Sequence, residues 1–149
     1  MATRFMNESD DNRVRYIFAV CYPERPPHPP TWFQVHPTIV ATEDVRDTVV
    51  GYTSLIIDPS EKLVHYRDIA VMPEYRGQNF GMHLFQRRQL AGMDLGITSH
   101  VGATWAENKR MIRLFENNGF HLCQRVPGYY PDGKEGLIFV NHGGGLIHA

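Results

Sequence analysis

The residues best suited to chemistry in this chain lie in the stretch VMPEYRGQNFGMHLFQRR, residues 71 to 88. Gly77 and Gly81 allow a backbone to approach a phosphate closely, and the apolar spacing after them predicts a helix that starts in the turn. The N–H groups of Gln78 to Gly81 then point out of the helix start with no carbonyl to meet them. Together with the positive end of the helix dipole they form an anion cradle, and a pyrophosphate fits it better than a single phosphate. The pattern is neither the Gly-Lys-Ser/Thr phosphate loop nor the GxGxxG of dinucleotide folds. Taken alone, such a turn is as often just a turn.

Other chemistry-bearing types give less. The eight histidines show no HxxxH or HExxH spacing, so no metal is expected. His65 and His100 fall in strand patterns, as proton relays or as satisfied core histidines. Cys123 sits in an apolar strand pattern that places it in the core.

The elements that must position the cradle follow from periodicity. DDNRVRYIFAVCYPE carries Val14, Ile17, Phe18 and Cys21 at helical spacing behind acidic residues, predicting a first helix. The next stretch, about 22–37, holds six of the ten prolines and reads as an extended, semi-rigid loop. That loop either shapes a substrate entrance or is a connector, with Trp32 and Phe33 packed on the core. Strands follow in TIVATED, TVVGYTSLIID and LVHYRDIAVM as an antiparallel meander. A helix to about Gly96 puts Phe80, Leu84, Ala91 and Leu95 on one stripe. ITSHVGATW is a strand, NKRMIRLFENNG a helix closed at Asn118-Gly119, and FHLCQRV with EGLIFVNH a hairpin turned at Pro131-Asp132-Gly133. The tail from about 143 to 149 is expected to fray. The order gives an α/β fold: a mixed sheet of six to seven strands flanked by helices on both faces.

Composition sets the frame. A chain of 149 residues with 42% hydrophobic content supports one domain, residues 1 to 149, with one sizeable core. A net charge of -1 offers no footprint for nucleic acid or an anionic membrane. Two cysteines without CxxC, no apolar run of membrane-spanning length and no signal-peptide core point to a reducing, cytoplasmic setting. A homodimer is compatible with all of this.

The run DIAVMPEYRGQNFG followed by helix, strand and ENKRMIRLFENNGFHL resembles the GCN5-related N-acetyltransferase (GNAT) family over about residues 38 to 141. GYYPDGKEGLIFVN further resembles the branch that acetylates ribosomal-protein N-termini. The resemblance implies a GNAT fold and, as acyl-donor substrate, acetyl-CoA, whose pyrophosphate would be held by Arg76, Gly77, Gln78, Asn79, Phe80 and Gly81. Asn79 replaces the usual glycine there, and asparagine is the side chain most tolerant of positive φ. Ile69, Ala70 and Val71 would offer their backbone to the pantetheine arm as an added strand does. Asn108 matches the family asparagine that touches the arm, and is equally an N-cap. Arg87 and Arg88 either reach the outer phosphate or are solvated helix charges.

Acetyl transfer to a primary amine needs a neutral nucleophile, oxyanion stabilisation and a proton for the departing thiolate. An alkyl ammonium of pKa roughly 10 needs a base, an N-terminal amine of roughly 8 much less. The oxyanion is met in this family by a backbone N–H, here around Val71. Two family side chains are missing: the tyrosine that protonates the thiolate falls at Phe115, and the glutamate base of the N-terminal branch at Ala103. Candidate bases are Asp68 and Glu107. Tyr66, Tyr129 and Tyr130 are candidate donors or substrate-wall residues. The acceptor is a peptide N-terminus by preference, then a lysine or small-molecule amine. The alternative is a degenerate GNAT-like protein with a binding or structural role.

Overall fold

The computed structural model describes residues 1–143, so the tail after Gly143 lies outside the described residues. In chain order the elements are β1 (Ala2–Phe5), α1 (Asp11–Cys21), α2 (Trp32–Val35), β2 (Thr38–Thr42), β3 (Val49–Asp58), β4 (Leu63–Val71), α3 (Phe80–Asp94), β5 (Ser99–Trp105), α4 (Lys109–Asn117), β6 (His121–Val126) and β7 (Gly136–Asn141). The strands form a seven-stranded mixed sheet in the order β1-β2-β3-β4-β5-β7-β6. Within it β4 and β5 run parallel, joined over Leu63–His65 and Ser99–Val101. By contact the chain divides into two compact units, residues 1–56 with 67–88, and residues 57–66 with 89 onward.

In the first unit, α1 follows a turn in which the Asn7 N–H donates to Asp10 Oδ2 at 2.9 Å. Its Val14, Ile17 and Phe18 are buried at the spacing of one helix face. With Phe33, Val40, Val49, Tyr52, Ala70 and Met72 they make this unit's core. The proline-rich segment lacks N–H groups and needs donors from elsewhere. Arg15 supplies them, bonding the carbonyls of His28, Pro29 and Pro30 at 2.7–3.0 Å. Trp32 stacks on His28 at 3.8 Å and Phe33 is 2% exposed, so both aromatics pack inward as expected. The segment nevertheless contains one helical turn, α2, after its last consecutive prolines. β1 was not expected: four residues with no apolar alternation pair antiparallel with β2, Phe5 against Ile39.

In the second unit, Phe115 of α4 is buried between Phe139, stacked at 4.7 Å, and Phe120, edge-on at 5.2 Å. The Asn118 carbonyl accepts Gln89 Nε2 at 3.0 Å and Asn141 Nδ2 at 3.2 Å, tying the end of α4 into this unit. Gly119, φ 85°, then reverses the chain as its position after the helix predicts.

Two expectations fail. Leu95 is 57% exposed, because α3 ends at Asp94 and the stripe stops with Ala91. Cys123 is exposed rather than core, since β6 ends the sheet and its register with β7 shifts between Leu122 and Gln124.

Candidate active site

The strand β4 ends at Val71, a 3-10 turn spans Pro73–Tyr75, and the loop from Arg76 runs into α3 at Phe80. Gly77 has φ 81° and Asn79 φ 66°, so the chain twice enters the left-handed region. Asparagine there explains how the loop keeps its shape without the family glycine. Among the described residues, no carbonyl accepts from the N–H groups of Gln78 to Met82; the first bond of the helix is His83 N–H to Asn79 O at 3.1 Å. A Cβ placed on Gly77 or Gly81 would meet nothing within 4 Å. The loop therefore carries donors that no carbonyl matches, with open space beside its two glycines. Arg76 is held beside them, its Nε donating to Val71 O at 3.0 Å and its Nη2 3.5 Å from Cys21 Sγ.

Met72 N–H donates to Val50 O on β3, so by alternation Ile69 and Val71 turn their backbone groups away from β3. Side chains occupy that edge. Tyr22 O–H donates to Ile69 O at 2.7 Å and accepts from Ile69 N–H at 3.2 Å. Val71 O takes Arg76 and Cys21, and Arg67 O takes Arg88 Nη1 at 3.4 Å. Arg88 is 1% exposed and bonded to β4 backbone, which overturns the solvated helix charge, one of its two expected roles. Arg87 lies over the Phe5 ring at 5.2 Å.

Asp68, between Arg67 and Ile69, is 3% exposed. Its Oδ2 accepts Tyr52 O–H at 3.0 Å and meets His28 Nε2 at 2.8 Å, and its Oδ1 accepts Arg25 Nη1 at 3.1 Å. Burial, with the Asp68 carboxylate second, pushes the Tyr52 and Tyr22 hydroxyls far above the ordinary phenol range, so both keep their protons. The sequence marks Asp68 but not its partners. Tyr22, Arg25 and His28 are read there as part of a loop, and only the fold brings them to β4.

In the second unit, Asn108 caps α4, its Oδ1 accepting Met111 N–H at 3.3 Å. Glu107 beside it is exposed. Tyr130 packs edge-on to Trp105 at 6.4 Å and Tyr129 at 5.0 Å. Ala103 pairs with Ile138 on β7. His100 is buried with Nδ1 2.6 Å from the Tyr66 hydroxyl and Nε2 2.9 Å from Ile97 O, a satisfied core histidine. Among the described residues no three His, Cys, Asp or Glu side chains gather as a metal-ligand group, and no helix is long and apolar enough to cross a membrane.

Residues 7–120 match the family model described as the acetyltransferase (GNAT) family. The chain belongs to this family. No curated protein sequence matches it significantly. Many solved structures share its fold. The ribosomal-protein-S18-alanine N-acetyltransferase of Escherichia coli superposes with TM-score 0.79 at 18% identity, covering 94% of this chain and 92% of that one. yncA of Salmonella typhimurium, provisionally assigned as an acetyltransferase and solved with its cofactor acetyl-CoA, gives 0.80 at 20% identity, covering 100% and 96%. A spermidine N-acetyltransferase chimera from Vibrio cholerae and the human enzyme gives 0.80 at 14% identity, covering 95% and 96%. At these identities the likeness is one of fold. The loop from Arg76 to Gly81 combines donors without acceptors, two left-handed residues and space where a Cβ would stand, a donor set suited to a phosphate group.

Proposed function

We propose that this chain transfers an acetyl group from acetyl-CoA to a primary amine by direct attack in a ternary complex. The observation that carries the reading is the row of N–H groups from Gln78 to Met82 that no carbonyl accepts, beside the open space at Gly77 and Gly81, in a loop that β4 delivers to a helix start. Arg76, Gly77, Gln78, Asn79, Phe80 and Gly81 would hold the pyrophosphate, with the α3 dipole adding to the attraction. Ile69, Ala70 and Val71 would carry the pantetheine arm, and the Val71 N–H, turned away from β3, is the candidate oxyanion donor. Asn108 is the candidate contact for the arm from α4. The thioester supplies the activated acyl group. The chain's own part is to orient it, receive the amine and manage protons, with Asp68, Glu107 and Tyr130 as candidates. A peptide N-terminus is the preferred acceptor because GYYPDGKEG at 128–136 resembles the N-terminal branch, and its amine deprotonates more readily than that of a lysine.

The test is calorimetric titration of acetyl-CoA into the wild type and an Arg76→Glu, Gly81→Asp double variant. Micromolar binding to the first and none to the second is expected. A wild type that does not bind sinks the reading.

A second reading, a GNAT-like binding protein without turnover, is supported by the packing of Phe115. That side chain is a core ring, and no hydroxyl replaces the tyrosine in its slot. Acetyl-CoA binding with no thiol release across a panel of amines would favour it.

A further inference from the structure

Asp68 is the most deeply buried carboxylate among the described residues, and its two oxygens are treated differently. Oδ2 is enclosed by His28 and Tyr52. Oδ1 is met by Arg25 through a single nitrogen at 3.1 Å, and the Arg25 side chain is 40% exposed where that of Asp68 is 2%. The same guanidinium lies over two aromatic faces, 4.7 Å from the Tyr22 ring centroid and 5.1 Å from that of Phe18. One carboxylate oxygen and two ring faces, open on one side to water, make a seat for an organic cation. The chain's own arginine sits in it.

That arginine is the replaceable partner. Its side chain is 40% exposed against 10% for His28, and it touches the carboxylate through one nitrogen, so of the three partners it leaves Asp68 for water most readily. Removing it leaves His28 and Tyr52 on Oδ2 and empties Oδ1. The seat also lies next in sequence to Ile69, where the proposed acyl-donor edge of β4 begins.

We propose that Asp68, Phe18 and Tyr22 form an acceptor subsite for a primary amine carrying a second cationic group, guanidinium or ammonium, and that Arg25 occupies it as an internal competitor. The second cation takes the place of Arg25 on Asp68 Oδ1, so for such a substrate Asp68 anchors the acceptor instead of serving as its base, and the reacting amine stays free to be deprotonated. Acetylation of the seated amine rests on the transferase reading, whereas the seat itself is independent of it.

The probe is agmatine, a four-carbon chain with an amine at one end and a guanidinium at the other, titrated by calorimetry without acyl donor. Arg25→Ala is expected to bind it about tenfold more tightly than wild type, the gain from an occupant seated about nine-tenths of the time. Arg25→Gln, checked for an intact thermal transition, gives the same result should Arg25→Ala fold poorly. Adding Asp68→Asn to either variant returns agmatine to wild-type affinity or weaker. With acetyl-CoA present, the kcat/KM ratio of agmatine to n-pentylamine rises in the Arg25 variants. Tightening without any acetylation keeps the seat and removes the transferase reading. Acetylation of amines by variants that bind agmatine no more tightly than wild type overturns the seat and leaves the transferase.

Discussion

Restoring the family tyrosine at position 115 is expected to harm this protein rather than improve it. Phe115 is 1% exposed and stacked on Phe139 at an interplanar angle of 4°. Its Cζ, where a hydroxyl would be attached, lies 2.7 Å from where a Cβ on Gly102 would stand, so the ring tip already uses the space that glycine leaves. A buried hydroxyl without a partner costs about 1–3 kcal/mol, and overfilling a close-packed site about 1–3 kcal/mol more. With a central figure near 4 kcal/mol, a chain of this size loses roughly 8–16 °C of Tm. The assay is a thermal melt of wild type and Phe115→Tyr by circular dichroism, beside thiol release from acetyl-CoA at saturating amine. A variant that melts within about 1 °C of wild type and turns over at least tenfold faster would refute the packing argument. It would mean that the slot opens onto the thiolate and that the wild-type enzyme simply lacks its acid.

Four further outcomes rest on single contacts. Tyr22→Phe leaves Ile69 O and N–H without their shared partner, so stability falls by about 1 kcal/mol while calorimetry shows acetyl-CoA binding several-fold tighter, the β4 edge being freed; weaker binding would make Tyr22 a structural brace only. Asn79→Val places a β-branched residue at φ 66°, costing about 1–2 kcal/mol and weakening acetyl-CoA, whereas Asn79→Gly keeps the affinity within about threefold. Gly51→Ala puts a Cβ 2.8 Å from Ala70 O, and the backbone cannot yield as a side-chain tip does; about 1–3 kcal/mol of stability is lost in chemical denaturation. The Asp10 carboxyl is held below its ordinary range, chiefly by hydrogen bonding from Arg4. The stability it contributes is present above the unfolded pKa near 4 and drains away as pH falls through the lower folded value. From pH 6 to 3 the Tm of Asp10→Asn should therefore fall less steeply than that of wild type.

What the sequence made legible is what neighbours along the chain determine. Apolar periodicity locates α1, α3 and α4, alternation locates β3, β4 and β5, and Gly77, Asn79 and Gly119 mark turns through backbone sterics alone. The loop from Arg76 to Gly81 is of this kind, because both of its left-handed residues and the start of α3 lie within six consecutive residues. β1 escaped because it has no apolar face of its own and exists by pairing with β2. Cys123 was misplaced because an apolar pattern does not reveal whether a strand ends the sheet.

The Asp68 cluster was half legible for the opposite reason. A lone aspartate in a strand that alternates buried residues breaks the pattern, and a buried charge demands partners. The sequence cannot supply them, since Tyr52, Arg25 and His28 come from β3 and from a proline-rich loop whose path is set by Arg15. The same logic governs the edge of β4. Beyond the short ladder to β5, Ile69 and Val71 need partners for their backbone groups, and Tyr22, Cys21 and Arg76 provide them one side chain at a time. Side-chain bonds can be exchanged singly, whereas a paired strand must be peeled away. An edge covered in this manner can be satisfied in the free protein and still yield to an extended ligand.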